Sequence, residues 1–128
     1  MTVTGTPEMF NAPLVDLRIY TIKLRRLQEF VDIFDRLAIP VQIRYLGPPL
    51  GFYISDIGPQ NQVVHLWGYK SLADYDARRV ARDADREWPA YLNASADLIA
   101  GQENRFIRRV DFKSLAAGAS VDGSAQGK

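Results

Sequence analysis

Residues 46–79 read LGPPLGFYISDIGPQNQVVHLWGYKSLADYDARR, and their periodicity decides the fold. Leu50 to Ile57 and Gln62 to Lys70 are apolar runs rich in β-branched and aromatic residues, separated by Gly58, Pro59, Gln60 and Asn61. So short a connection, made of turn formers, predicts an antiparallel hairpin. Ser71 then supplies a hydroxyl for the first turn of a helix, and Asp74 three residues on completes a capping-box pattern. Behind it, Ala73, Ala77, Val80, Ala81 and Ala84 form a small apolar stripe.

Upstream, Val15 to Ile22 alternates, with Val15, Leu17, Ile19 and Thr21 on one face and Asp16, Arg18, Tyr20 and Ile22 on the other, as a half-buried strand does. From Arg25 the period lengthens: Leu27, Phe30, Val31, Phe34, Leu37 and Ala38 recur at helical spacing. Pro40 is expected to end or kink this helix, and a connector containing Gly47, Pro48 and Pro49 follows. Downstream, Asp85 to about Ala100 reads as a further helical piece carrying Trp88, Tyr91, Leu92, Ala96 and Ile99, with Pro89 in its first turn and Gly101 as its stop. Glu103 to Val110 is the last strand. The order βαββαβ predicts an α+β, ferredoxin-like domain: a four-stranded antiparallel sheet with helices on one face.

Both parities of these strands carry large side chains, as in Val63, Leu66 and Trp67, so the helix-free face also needs cover. In a chain of 128 residues a second copy is the simplest cover, and a homodimer is expected. The domain is expected over residues 14–112, between flexible tails at 1–13 and 113–128, the latter rich in Gly, Ala and Ser.

Composition narrows the function classes. Lys and Arg number 16 against 15 Asp and Glu, so no basic excess points to nucleic acid. There is no cysteine, which excludes disulfides, thiolate nucleophiles and sulfur-ligated metals and makes the cytoplasm the expected compartment. The first residues lack the pattern of a secretory signal, and no apolar run reaches the roughly 20 residues of a membrane helix, so no membrane association is expected. A phosphate-binding loop, a G-x-G-x-x-G, a G-x-S-x-G elbow and a metal-spaced cluster of His and carboxylates are all missing.

The Gly-aromatic strand, the turn ending in Asn61 and the V-x-H-L-W-x-Y run at residues 63–69 resemble the signature of the NIPSNAP family, of the dimeric α+β-barrel superfamily. LRIYTIK at residues 17–23 is similar to the family's opening strand, and QENRFIRR at 102–109 to its closing one. The resemblance implies two sheets packed face to face across a dimer interface. It also implies a cofactor-free pocket in each subunit, as in relatives that oxidise, isomerise or dehydrate aromatic and polyketide-like compounds. The alternative is a non-catalytic small-molecule-binding or scaffold protein. Some relatives hold haem through a histidine, so His65 as an axial ligand is a further implication.

Among individual residues, His65 is the only histidine. An imidazole titrates near neutrality and can exchange a proton with a substrate, or it can be a strand histidine bonded to a neighbour. Arg18 and Tyr20 share a face on which a guanidinium and a phenol can stabilise a carboxylate or enolate, and the same pair can equally sit on a sheet surface. His65, Arg18 and Tyr20 are the expected catalytic group. Trp67 and Tyr69, with Trp88 and Tyr91, are candidates for an apolar pocket wall, although aromatics at strand and helix spacing are more often plain core. Tyr53, Asn61 and Glu103 complete the substrate-contacting candidates. Asn61 is most simply a turn residue, and Glu103 an ion-pair partner of a neighbouring arginine. Arg78, Arg79, Arg82 and Arg86 alternate with acidic residues and read as a solvated, salt-bridged helix face.

Overall fold

The structure is a computed structural model and describes residues 12–114. Most of the two expected tails lies outside the described residues. In chain order the elements are β1 (Leu14–Ile22), α1 (Leu27–Ile33), a π-helical turn (Phe34–Ala38), α2 (Ile39–Leu46), β2 (Gly51–Ile54), β3 (Gln62–Tyr69), α3 (Leu72–Asp83), α4 (Trp88–Ser95) and β4 (Ile99–Arg108). The strands form one antiparallel sheet in the order β2-β3-β1-β4. This is the expected βαββαβ arrangement, with both crossovers on one face.

Strand alternation assigns the two faces. Leu14, Asp16, Tyr20 and Ile22 of β1 are buried beneath the helices, as are Val63, His65, Trp67 and Tyr69 of β3. Val15, Leu17, Ile19, Val64 and Leu66 point the other way and are only half-buried in the single chain. The register places Arg18 between His65 on β3 and Asn104 on β4, and Tyr20 between Val63 and Gln102. Phe52 of β2 lies opposite His65.

The hairpin turn behaves as its residues require. Asn61 adopts φ 61°, a left-handed conformation that Asn tolerates, and its carbonyl accepts from the Ile22 N–H at 2.7 Å. Ser71 caps α3, its hydroxyl accepting from the Asp74 N–H at 3.0 Å. The Asp74 carboxylate reaches back one residue further than a capping box does, accepting from the Lys70 N–H at 2.9 Å.

Three expectations are corrected. Pro40 does not end the first helix, which continues to Leu46. Proline lacks an N–H and its ring presses on the preceding turn of a regular helix. Here that turn is widened, the Ile39 N–H donating to the Phe34 carbonyl five residues back. Gly101 does not stop α4, which ends at Ser95. Gly101 lies inside β4 opposite Thr21, with a register shift beside it where Ile22 meets Ile99.

The third correction concerns α3. Its apolar stripe of Ala73, Ala77, Val80, Ala81 and Ala84 is exposed, while Tyr75, Arg78, Arg79 and Arg82 are on its half-buried side. Alanines offer little area to bury. Long arginine stems and a tyrosine ring cover more apolar surface while their polar ends keep partners. Tyr75 packs edge-on against Tyr69 and Phe106, at 5.2 and 4.8 Å between ring centres.

Candidate functional site

A cavity of about 350 Å³ lies between the β1–β4 side of the sheet and the helices. Its floor is Arg18 and Tyr20 from β1, its apolar walls are Phe34, Trp88 and Tyr91, and Arg82 enters from α3. The volume is in the range of small-molecule sites, and the mix of aromatic walls with a few convergent polar groups is typical of them.

Alternation along β1 puts Asp16, Arg18 and Tyr20 in one row. Arg18 Nε donates to Asp16 Oδ2 at 2.9 Å, and Arg18 Nη1 donates to the Tyr20 hydroxyl at 2.7 Å. The Asn104 amide, with its oxygen turned to the guanidinium, accepts from Arg18 Nε at 2.8 Å. Burial works against the Arg18 charge, yet Tyr20 and Asp16 outweigh it and raise its pKa. Burial pushes the Asp16 carboxyl up from its ordinary value, against the pull of Arg18. The result is a buried ion pair whose cation is held in fixed orientation. Because the Tyr20 oxygen accepts from Arg18, its proton remains to be donated, and it has no acceptor among the described residues.

His65 is placed differently from the expectation. It is 0% exposed and does not line the cavity. Phe52 stacks on it at 4.7 Å, Tyr20 meets it edge-on at 4.7 Å and Phe34 at 5.6 Å. Its Nδ1 accepts from Trp67 Nε1–H at 2.8 Å, so the proton of the neutral ring is on Nε2, which has no hydrogen-bond partner. Burial, helped by the nearby Arg18 charge, pushes its pKa down to about 3. At neutral pH this imidazole is neutral and its one lone pair is in use, so the geometry provides no proton acceptor at His65. Nor does it fit haem: both nitrogens are sealed behind aromatic rings, and one is bonded to Trp67.

Trp67 and Tyr69 wall a second, far smaller space of about 10 Å³, where the unpartnered Oδ1 of Asp16 is buried. That is room for about one water molecule. Tyr53 is 61% exposed, on the opposite face of the sheet from Arg18. Glu103, opposite Ile19, is on that same open face and pairs along its own strand with Arg105 at 2.7 Å. Asn61 is in the hairpin turn, away from the cavity. The structure therefore brings Arg18 and Tyr20 together at the cavity, sets His65, Trp67 and Tyr69 behind it, and puts Tyr53, Asn61 and Glu103 elsewhere.

Three more residues complete the site: Gln42 and Ser95, not singled out from the sequence, and Arg82, which was expected on a solvated, salt-bridged helix face and is instead turned inward. The Arg82 side chain is 11% exposed, its Nη1 donating to Gln42 Oε1 at 3.0 Å and its guanidinium lying 4.5 Å over the Trp88 ring. Gln42 and Ser95 are buried polar residues lining the same cavity. Their signal was present: Gln42 falls midway between Ala38 and Leu46 at helical spacing, and Ser95 follows Trp88 and Tyr91, so each is a polar residue within an apolar row. Among the described residues there is no group of His, Cys, Asp and Glu that can hold a metal, and no helix long and apolar enough to cross a membrane.

Comparisons with known proteins agree with the architecture. A Dictyostelium discoideum NipSnap homolog is 30% identical over 90 residues, covering 70% of this chain and 38% of that protein, so the chain spans well under half of the relative's length. Two solved structures from Agrobacterium tumefaciens, both NIPSNAP family proteins and one of unknown function, superpose with a TM-score of 0.75. Identities are 31% and 36%, each over 81% of this chain and 94% and 91% of theirs. An antibiotic-biosynthesis-monooxygenase-like protein of Nitrosomonas europaea shares the fold at 16% identity and a TM-score of 0.57, over 77% of this chain and 99% of that one. The NIPSNAP family model matches residues 15–114, and the chain belongs to the NIPSNAP family.

Proposed function

We propose that this protein is a cofactor-independent small-molecule enzyme whose cavity stabilises the enolate or phenolate of a mainly apolar or aromatic substrate. The observation that carries the reading is the Arg18–Tyr20 pair: a charged guanidinium bonded to a phenol whose own proton is free to donate, on the floor of an aromatic-walled cavity. A substrate oxygen placed there receives a phenolic hydrogen bond beside a fixed positive charge, the arrangement that favours a developing oxyanion. Stabilising the anion lowers the pKa of the substrate, so its proton can pass to solvent water at the cavity mouth without a strong protein base. An enolate so formed is a common entry to oxidation, isomerisation and elimination. His65 contributes by holding Tyr20 and Trp67 in place rather than by proton transfer.

The test is a phenol that becomes yellow on ionisation, 2-nitrophenol. An adjacent cation lowers the pKa of an acid by about 1–3 units, so the bound probe should remain yellow at pH values where the free probe is colourless. Arg18→Gln should remove that difference. A bound probe that titrates like the free one defeats the proposal. Depressed titration with no turnover of any enolisable compound supports the second reading, a small-molecule-binding protein, which the neutral His65 favours.

The same reading includes a homodimer through the open sheet face, where Val15, Leu17, Ile19, Val64 and Leu66 are half-buried and Tyr53 and Ile107 are exposed. Covering that face with a second copy buries apolar surface worth about 25 cal/mol per Å². Light scattering should give twice the chain mass, and Leu66→Arg should give a monomer.

A further inference from the structure

The cavity has a second cationic group. Arg82 comes from the inward face of α3 with its guanidinium fixed in plane by the Trp88 ring and by Gln42 Oε1. Its remaining partner is the carboxylate of the next residue, Asp83, which also lines the cavity and whose Oδ2 lies 3.8 Å from Arg79 Nη1. That pairing is a poor one. Adjacent positions on a helix do not face each other, and Arg82 Nε and Nη2 both donate to the single oxygen Oδ1, at 3.0 and 2.9 Å. A side-on pair engages both oxygens of a carboxylate. The Asp83 side chain is also 45% exposed, against 11% for Arg82. An arginine ordered on two sides and paired badly on the third is arranged to take an incoming carboxylate.

We propose that Arg82 is the anchor for a substrate carboxylate, that Asp83 is an internal stand-in which this carboxylate displaces, and that the natural ligand carries a carboxylate at one end and an enolic or phenolic oxygen at the other. The inference rests on the oxyanion reading of the same cavity and adds the substrate class. Arg18 and Tyr20 hold the reacting oxygen, and Arg82, stacked on Trp88, holds the distal acid.

The experiment compares 2-nitrophenol with 4-hydroxy-3-nitrobenzoate and 4-hydroxy-3-nitrophenylacetate, which add a carboxylate at two distances from the same chromophore. The full chain should bind the better-fitting carboxylated probe about ten- to a hundredfold more tightly than 2-nitrophenol, the range of a good charge-assisted pair. Arg82→Gln should remove most of that gain and change 2-nitrophenol binding much less. Arg82→Lys, which keeps the charge and loses the fork, should keep only part of it. Asp83→Asn, at an exposed position, should strengthen the carboxylated probes more than 2-nitrophenol. If the carboxylate adds no affinity in either probe, or if Asp83→Asn affects all three alike, the anchor is wrong while the Arg18–Tyr20 site stands. If 2-nitrophenol itself shows no Arg18-dependent binding as its anion, the oxyanion reading fails and the anchor with it.

Discussion

Protonation of His65 should unfold this protein rather than activate it. Its pKa is pushed down to about 3, from an ordinary 6.5, by burial first and by Arg18 second. Between those values the unfolded chain binds a proton at this position and the folded chain does not, so stability falls as pH falls below about 6.5. One pH unit in this window is worth about 1.36 kcal/mol. From pH 7 to pH 5 the loss from this one group is about 2 kcal/mol, since the unfolded imidazole is mostly uncharged at the start. In a domain of this size that lowers Tm by about 10 °C. The clean assay is urea denaturation at pH 7 and pH 5, at fixed protein concentration, for the native chain and for His65→Gln. Any constant penalty for changing the contact to Trp67 Nε1–H cancels in the pH difference, and the variant should lack this part of the acid sensitivity. Because there is only one histidine, its ring resonances are unambiguous and should show no titration above pH 5. Parallel loss of stability in both proteins, or a ring titrating near 6.5, refutes the placement of His65 in a closed apolar box.

Two further outcomes follow from the same geometry. Arg18→Met should lose about 3–5 kcal/mol of stability, because it leaves Asp16, with a side chain 2% exposed, as an unpaired buried carboxylate; Asp16→Asn in the same chain should return most of it in denaturant titrations. Ser71→Ala should lose about 1 kcal/mol, the worth of the hydroxyl that accepts from the Asp74 N–H, with helical circular dichroism of the folded state unchanged.

The parts of this molecule that could be read from its residues are those governed by local chemistry. The hairpin follows from a turn that needs Asn61 at positive φ, and the start of α3 from the hydroxyl of Ser71. Period-two alternation correctly grouped Arg18 with Tyr20, and His65 with Trp67 and Tyr69, since parity alone decides a strand face. Parity does not say which helix covers which part of that face. That is why Trp67 and Tyr69 were grouped on one wall with Trp88 and Tyr91, of which only the latter two line the cavity, while Tyr53 and Glu103 were expected in the site although they are on the other face. Nor does composition weigh size: the stripe of α3 was drawn from alanines, while packing went to the longer Tyr75 and Arg82. The burial of His65 is a tertiary feature, which no spacing along one strand encodes.

The reversed α3 has a consequence for motion. None of its residues is buried, and beyond the packing of Tyr75 and Arg82 on aromatic rings it is tied down by directional contacts such as Arg82 to Gln42 at 3.0 Å and Arg78 to the Tyr45 carbonyl at 3.4 Å. Such contacts are worth about 1 kcal/mol each, so this helix belongs to the segments that open locally at small free energy, long before the sheet does. Its backbone amides should exchange with solvent deuterium sooner than those of β1 and β3. Arg82 and Asp83 travel with it, so an opening that admits deuterium to the helix also moves two of the residues that line the cavity.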